Sequence, residues 1–287
     1  MSTQKLFLSF LLLVLITLLS FCGGGGDPAG PFSSSELFEV GLVRVADLDA
    51  TQQSVFGSFG ADPLARGRVE AEVEMENGGQ VQQSDVEAEV EGAAANDSYA
   101  VSFCPFAVGV SGCSQVGSVT TDGQGQGKTK LNLARNRILV GVFLFSRNGQ
   151  NRFVTGINIP RLPNDRGGAF EVALQPVAAV SGGIGSSFPL PGADPLMSGR
   201  VEVGGGRKIE VAIAGAMANA TYNVQLCPFG LGAGACTTAG SLGTNSAGQA
   251  AAEFDFPQQV SFTGVFLLTR TSGSTEVPQF VTGFSVP

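Results

Sequence analysis

A short segment bounded by two cysteines occurs twice in this chain, and it constrains the fold more than any other feature. The first copy runs from Cys104 to Cys113 and the second from Cys227 to Cys236, with the same spacing and with Pro-Phe after the first cysteine in both. Two such segments need a common structural cause. The chain is therefore predicted to contain two copies of one domain, because a repeat of this length indicates tandem domains and not a solenoid.

Other motifs recur in the same order in both halves. The sequence GADPL at 60–64 returns at 192–196, GRVE at 67–70 returns at 199–202, and FVTG at 153–156 returns at 280–283. This order predicts repeat 1 over 36–160 and repeat 2 over 168–287, with a linker over 161–167 between them. The residues before repeat 1 are divided into a predicted signal peptide over 1–21 and a Gly/Pro/Ser linker over 22–35.

Inside a repeat the apolar residues alternate with polar ones. Val69 and Ala71 alternate with glutamates at 70 and 72, and the same pattern returns at 86–91, which is typical of half-buried strands. Residues 138–145 are apolar on both faces, as in a central strand covered on each side. No segment predicts a helix. The fold class is thus all-β, with two tandem antiparallel β-sandwich domains of the immunoglobulin-like kind.

The N-terminus carries an export signal. Lys5 precedes an uncharged, mainly apolar run over 6–21, which is too short to span a membrane and is typical of a signal peptide. Cys22 and four glycines follow it, and this end resembles a bacterial lipoprotein signal. The resemblance implies cleavage before Cys22, a diacylglyceryl group on its sulfur, and a place in the bacterial cell envelope. An ordinary cleaved signal peptide or an uncleaved anchor remains the alternative.

The cysteine count agrees with export. Of the five cysteines, four form two local pairs and Cys22 is left over for lipidation. In an oxidising compartment we expect two disulfides, Cys104–Cys113 and Cys227–Cys236. A zinc site made from all four is the alternative, but the spacing lacks short Cys-x-x-Cys pairs and the chain contains no histidine.

Acidic residues offer weak candidates for a metal site. The glutamates of the alternating strands could bind calcium through carboxylate oxygens, or could simply form a solvated face. The calcium candidates are Glu70, Glu72, Glu87 and Glu89. Asp62-Pro63 and Asp194-Pro195 read as turn starts, with a metal role as the alternative.

The two cysteine rings offer candidates for contact with a protein partner. Their apolar residues could form a finger that binds a partner, or could cap the end of the sandwich. These residues are Phe106, Val108, Phe229 and Leu231. Sequons at 96–98 and 219–221 lie at equivalent positions and read more simply as turn asparagines than as glycosylation sites.

Composition excludes several functions. A net charge of −8 argues against nucleic acid, and the absence of histidine excludes Ser-His-Asp chemistry. Without tryptophan, carbohydrate is also an unexpected ligand. The sequence predicts a lipid-anchored, non-enzymatic envelope protein without a cofactor, whose modules bind a protein or serve structural display. The alternatives are a carboxylate-dependent hydrolase of the envelope and a calcium-binding, adhesin-like module.

Overall fold

The structure is a computed structural model that describes residues 38–75, 81–134, 137–158, 170–180, 191–204, 208–255 and 261–286. These residues are mostly β-strand, which confirms the predicted all-β class. The predicted signal peptide, both linkers and Cys22 lie outside the described residues. Among the residues that are described, no helix has the length and apolar character needed to cross a membrane.

Repeat 1 contributes ten strands to the described residues. They are β1 (Phe38–Arg44), β2 (Arg66–Met75), β3 (Val81–Glu91), β4 (Ser98–Pro105), β5 (Ser114–Thr120), β6 (Gly127–Leu131), β7 (Arg137–Leu139), β8 (Gly141–Arg147), β9 (Gln150–Thr155) and β10 (Ile157–Asn158). One short helix, α1 (Ala50–Val55), lies between β1 and β2.

Repeat 2 contributes ten strands in a matching order. They are β11 (Phe170–Pro176), β12 (Ser198–Gly204), β13 (Lys208–Ala214), β14 (Thr221–Pro228), β15 (Thr237–Gly243), β16 (Ala250–Asp255), β17 (Ser261–Phe262), β18 (Gly264–Ser272), β19 (Thr275–Thr282) and β20 (Phe284–Val286). Short 3₁₀ turns follow β1 and β11 and lie within both cysteine rings.

Each repeat is an antiparallel sandwich whose first strand belongs to both layers. In repeat 1 the start of β1 pairs with β2 and its end pairs with β9. One layer is therefore β1-β2-β3-β6 and the other is β1-β9-β8-β4-β5. The alternation in β2 and β3 explains the packing, because Val69, Val86 and Val90 point into the sandwich while the glutamates between them face outward.

The two repeats join edge to edge. The start of β1 pairs with the start of β11, and the register sets Phe38 opposite Val172, Glu39 opposite Glu171 and Val40 opposite Phe170. This register is symmetric about the central glutamate pair. One sheet thus runs through both repeats in the order β6-β3-β2-β1-β11-β12-β13-β16. The interiors of the two sandwiches accordingly form one apolar cluster.

Short strands also cross between the repeats in a reciprocal way. Strand β10, at the end of repeat 1, pairs with β17 of repeat 2. Strand β20, at the end of repeat 2, pairs with β7 of repeat 1. Because each repeat supplies a strand to the other, the described parts of the two repeats interlock as one body. The sequence had predicted two domains joined in tandem, without this exchange.

A second apolar core lies between the repeats. Phe143 and Phe145 of β8 point into the sandwich, whereas Val142 and Leu144 point out of it into a separate buried cluster. Strand β18 divides its apolar side chains in the same way, and its outward Val265 and Leu267 belong to that cluster too. The single strand predicted over 138–145 is divided in the structure into β7 and β8. Strand β8 is covered on one face by its own repeat and on the other by the second repeat.

Helix α1 is a local feature that the alternation pattern did not predict. Its N-cap is Asp49, whose carboxylate accepts a hydrogen bond from the Gln52 amide at 2.9 Å. The helix contacts repeat 2, where the Gln52 side chain lies 3.4 Å from the Thr263 amide. Phe56, just after the helix, stacks on Phe229 at 5.7 Å between ring centroids.

The contact between α1 and repeat 2 can be tested by replacing one glycine of the second cysteine ring with alanine and measuring the free energy of unfolding. Gly230 and Gly232 both have positive φ angles, of 74° and 73°. A Cβ at Gly230 would lie 2.3 Å from Val55 of α1, whereas a Cβ at Gly232 would meet nothing within 4 Å. Gly232→Ala should cost about 1 kcal/mol in the free energy of unfolding, and Gly230→Ala about 1–3 kcal/mol more. Denaturant titration measures both values, and equal losses would contradict the contact.

Candidate functional site

Both cysteine pairs form the disulfides that their spacing predicted. The Cα atoms are 4.0 Å apart in Cys104–Cys113 and 4.1 Å apart in Cys227–Cys236. Cys104 and Cys227 follow the inward-facing residues of β4 and β14, so their side chains point away from the sandwich interior. They are nevertheless fully buried, because they belong to the core between the repeats.

The phenylalanines of the two rings are internal. Phe106 and Phe229 are buried and contact each other edge to face, with 6.4 Å between ring centroids. They were candidates for an apolar finger that binds a separate protein, and the structure corrects this interpretation, because each is covered by the other repeat. They close the core between the repeats, which is closer to the capping alternative.

The other two ring candidates lie nearer the surface. Leu231 is partly buried, and Val108 is 53% exposed. Val108 borders an open groove of about 470 Å³ that is also lined by Leu133, Ile138 and Val180. The structure therefore separates the four predicted contact residues and does not gather them into one finger.

The acidic face of repeat 1 is paired with cations. Arg68 lies 3.2 Å from Glu39, 3.3 Å from Glu70 and 3.1 Å from Glu89. Lys128 lies 2.5 Å from Glu87, and Lys130 pairs with Asp85. The side chain of Glu72 lies outside the described part. No cluster of three or more acidic, cysteine or histidine side chains suited to a metal occurs in the described residues.

Across the strands, however, the glutamates form one row that spans both repeats. The cross-strand registers connect Lys130, Glu87, Glu70, Glu39, Glu171, Glu202, Glu210 and Glu253, in that order. Sequence reasoning missed this row because it compared the residues along each strand and not across the sheet. Burial, followed by repulsion from neighbouring carboxylates, raises the pKa of Glu171. Burial also raises the pKa of Glu70, against the opposing effect of Arg68.

Asp62 was predicted to start a turn, but residues 61–64 form no turn in the structure, and the aspartate lies at the centre of a buried polar cluster. The Tyr99 hydroxyl donates to Asp62 Oδ2 at 2.9 Å. Arg147 Nη2 donates to Asp62 Oδ1 at 2.9 Å, and Arg152 Nη1 lies 3.0 Å from the same oxygen. Asp97 pairs with the other terminal nitrogen of Arg147. Asp62 is thus buried and held by a hydroxyl and two guanidinium groups, and it belongs to no metal-suited cluster among the described residues.

Repeat 2 builds a simpler version of the same cluster. The Tyr222 hydroxyl donates to Asp194 Oδ2 at 2.8 Å. Arg270 holds both carboxylate oxygens of Asp194, at 2.7 and 2.8 Å. The Asp194 amide donates to the Gln279 side chain at 3.1 Å. In both repeats the cluster ties the Asp-Pro segment to the sheet that carries the tyrosine. Internal hydrogen bonding thus occupies the two aspartates that were metal alternatives.

Burial sets the acidity of both tyrosines. It raises the pKa of Tyr99 to about 12, and the hydrogen bond to Asp62 acts in the same direction. Burial likewise raises the pKa of Tyr222, again with support from its hydrogen bond to the aspartate. A neutral phenol that donates to an ionised carboxylate cannot release its proton without placing two negative charges together. Neither tyrosine is poised for acid–base chemistry near neutral pH.

Comparisons with known proteins identify no relative. No family model matches the chain, no curated protein matches it, and no solved structure matches its fold.

Absorbance titration checks the tyrosine clusters directly, because Tyr99 and Tyr222 are the only tyrosines and there is no tryptophan. We expect no phenolate signal from the folded protein near pH 10, the ordinary tyrosine value. Since the folded pKa is raised, the stability contributed by each neutral tyrosine is lost as the pH rises above about 10. Tyr99→Phe should cost about 1–2 kcal/mol by loss of the bond to Asp62. Phenolate appearing at the ordinary pKa in the folded state would contradict the clusters.

Proposed function

We propose that this protein is exported and lipid-anchored through Cys22, and that it acts without catalysis as a rigid module of the bacterial cell envelope. The observation that carries the proposal is the use of the cysteines. The described part contains two disulfides, one in each repeat. Disulfides persist in exported compartments, and Cys22, at the end of the apolar run, is the one cysteine left over.

The state of the polar groups favours a non-enzymatic role. Asp62 and Asp194 are enclosed by donors from their own repeat, and the glutamates of the sheet face are spread in a row. A hydrolase that works with carboxylates needs two of them across a cleft that admits substrate. The open groove beside Val108 has no carboxylate in its lining, and the described residues contain no metal-suited cluster, so neither the hydrolase nor the calcium module has a specific observation in its favour.

The join between the repeats favours structural display over a hinged pair of domains. One sheet continues through both repeats, strands are exchanged in both directions, and an apolar core lies between them. Linked domains usually move relative to one another unless the interface is large and hydrophobic. A body joined in this way would hold the surfaces of its two repeats in a fixed arrangement relative to each other.

The N-terminus of the protein expressed in a bacterial host tests the anchor. We expect the mature chain to begin at Cys22 with a mass increase equal to a diacylglyceryl group, and the protein to enter the detergent phase on Triton X-114 partition. Cys22→Ser should leave it in the aqueous phase, since the lipid chains supply the membrane affinity. Ser33→Ala, in the same tether, is the matched control and should behave as the wild type.

The opposite result would be equally clear. A mature N-terminus without lipid, or a Cys22→Ser variant that still enters the detergent phase, would overturn the lipid anchor. An ordinary secreted protein would show the first result with a cleaved signal peptide. An uncleaved apolar anchor would show the second result with residues 1–21 still present in the protein.

A further inference from the structure

The row of glutamates crosses the join between the repeats at its centre. Glu39 of β1 and Glu171 of β11 stand directly opposite each other, and their pairing is the middle one of the three that join the two strands. Beyond them, Glu39 faces Glu70 and Glu171 faces Glu202. Like charges placed directly opposite across strands are destabilising. The join is therefore made at the point where carboxylates are most concentrated.

The cations on this face are too few to neutralise the row. In each repeat one arginine is shared by three glutamates, with Arg68 serving Glu39, Glu70 and Glu89, and Arg200 serving Glu171, Glu202 and Glu210. The contacts of Arg200 are longer, at 3.6–4.0 Å.

Among the described side chains of the face, acids outnumber cations. The acids with described side chains are Glu39, Glu70, Asp85, Glu87, Glu89, Glu91, Glu171, Glu202, Glu210, Glu253 and Asp255. The cations are Arg66, Arg68, Lys128, Lys130, Arg200 and Lys208. In several of these ion pairs one partner is exposed to solvent, and such pairs contribute little to stability.

We infer that the row makes the join between the repeats a pH-sensitive junction, held more tightly in mildly acidic surroundings than at neutral pH. Protonation of a carboxyl group in the row removes repulsion from the neighbours on both sides. The raised pKa of Glu171 and of Glu70 agrees with this geometry. The device concerns the fold itself and does not depend on the lipid anchor.

The direction of the effect follows from proton binding. A carboxyl group whose pKa is raised on folding holds its proton more tightly in the folded state than in the unfolded state. The free energy of unfolding therefore rises as the pH falls from neutral through the folded pKa, and the gain is complete below the unfolded value. Glutamates in an unfolded chain titrate near about pH 4.3. The stability gain therefore accumulates as the pH falls from neutral toward about 4.3.

Thermal unfolding of the purified protein tests the junction through the double variant Glu39→Gln/Glu171→Gln. Because the variant lacks the central repulsion, its midpoint at about pH 7.5 should exceed that of the wild type by about 2–4 °C. Near pH 5 the difference should shrink, since protonation relieves the same repulsion in the wild type. Glu253→Gln is the matched control. It removes a charge at the exposed end of the row and should change both midpoints less than the double variant does.

Hydrogen exchange places the effect at the join. After correction for the intrinsic pH dependence of exchange, the amides of β1 and β11 should gain more protection on acidification in the wild type than in the double variant. Sodium chloride should raise the wild-type midpoint at neutral pH by screening the row. Calcium chloride at equal ionic strength should do no more than sodium chloride.

Three results would overturn the junction. One is a double variant that is less stable than the wild type at neutral pH while the Glu253→Gln control is unchanged, which would make the glutamates net stabilising. Another is a difference between wild type and variant that does not shrink on acidification. The third is a stabilisation by calcium that exceeds screening and is lost in the double variant, which would make the row a cation site.

Discussion

A strand with two apolar faces is stable only when both faces are buried. In this protein β8 and β18 are such strands, and the arrangement of the two repeats follows from burying them. Their phenylalanines fill the sandwich interiors, while Val142, Leu144, Val265 and Leu267 need a second cover that a single repeat does not provide. Each repeat provides it for the other. The reciprocal pairings of β10 with β17 and of β20 with β7 follow the same logic, since a symmetric interface is satisfied when each half offers the same surface.

The disulfide rings take their position from this shared core. They leave the ends of β4 and β14 on the side that faces the other repeat, so Phe106 and Phe229 meet there and the first cysteine of each ring is buried. A ring of this kind on an isolated sandwich would expose its apolar side chains. The repeated Cys-Pro-Phe motif is thus explained by the contact between the repeats, and it does not need a separate protein partner to account for it.

The sequence was sufficient to predict the alternating strands, the all-β class and both disulfides, because alternation and cysteine spacing are local, but not the short strands exchanged between the repeats. It could not predict the glutamate row, since Glu39 and Glu171 become neighbours only through the β1–β11 register. Asp62 was misread as a simple turn residue for a similar reason. Its partners Arg147 and Arg152 lie on β8 and β9, far along the chain, and alternation within a strand carries no information about which distant side chain a buried carboxylate meets.

The buried clusters around Asp62 and Asp194 differ in composition between the repeats, but in each cluster the acidic and basic side chains are equal in number. Repeat 1 sets Asp62 and Asp97 against Arg147 and Arg152, whereas repeat 2 sets Asp194 against Arg270 alone. At the positions equivalent to Asp97 and Arg152, repeat 2 has Ala220 and Gln279. An unpaired charge in a buried cluster is strongly destabilising, whereas removal of a complete pair can be nearly neutral. One acid and one base therefore differ together between the repeats, and the tyrosine–aspartate bond that both clusters share is retained.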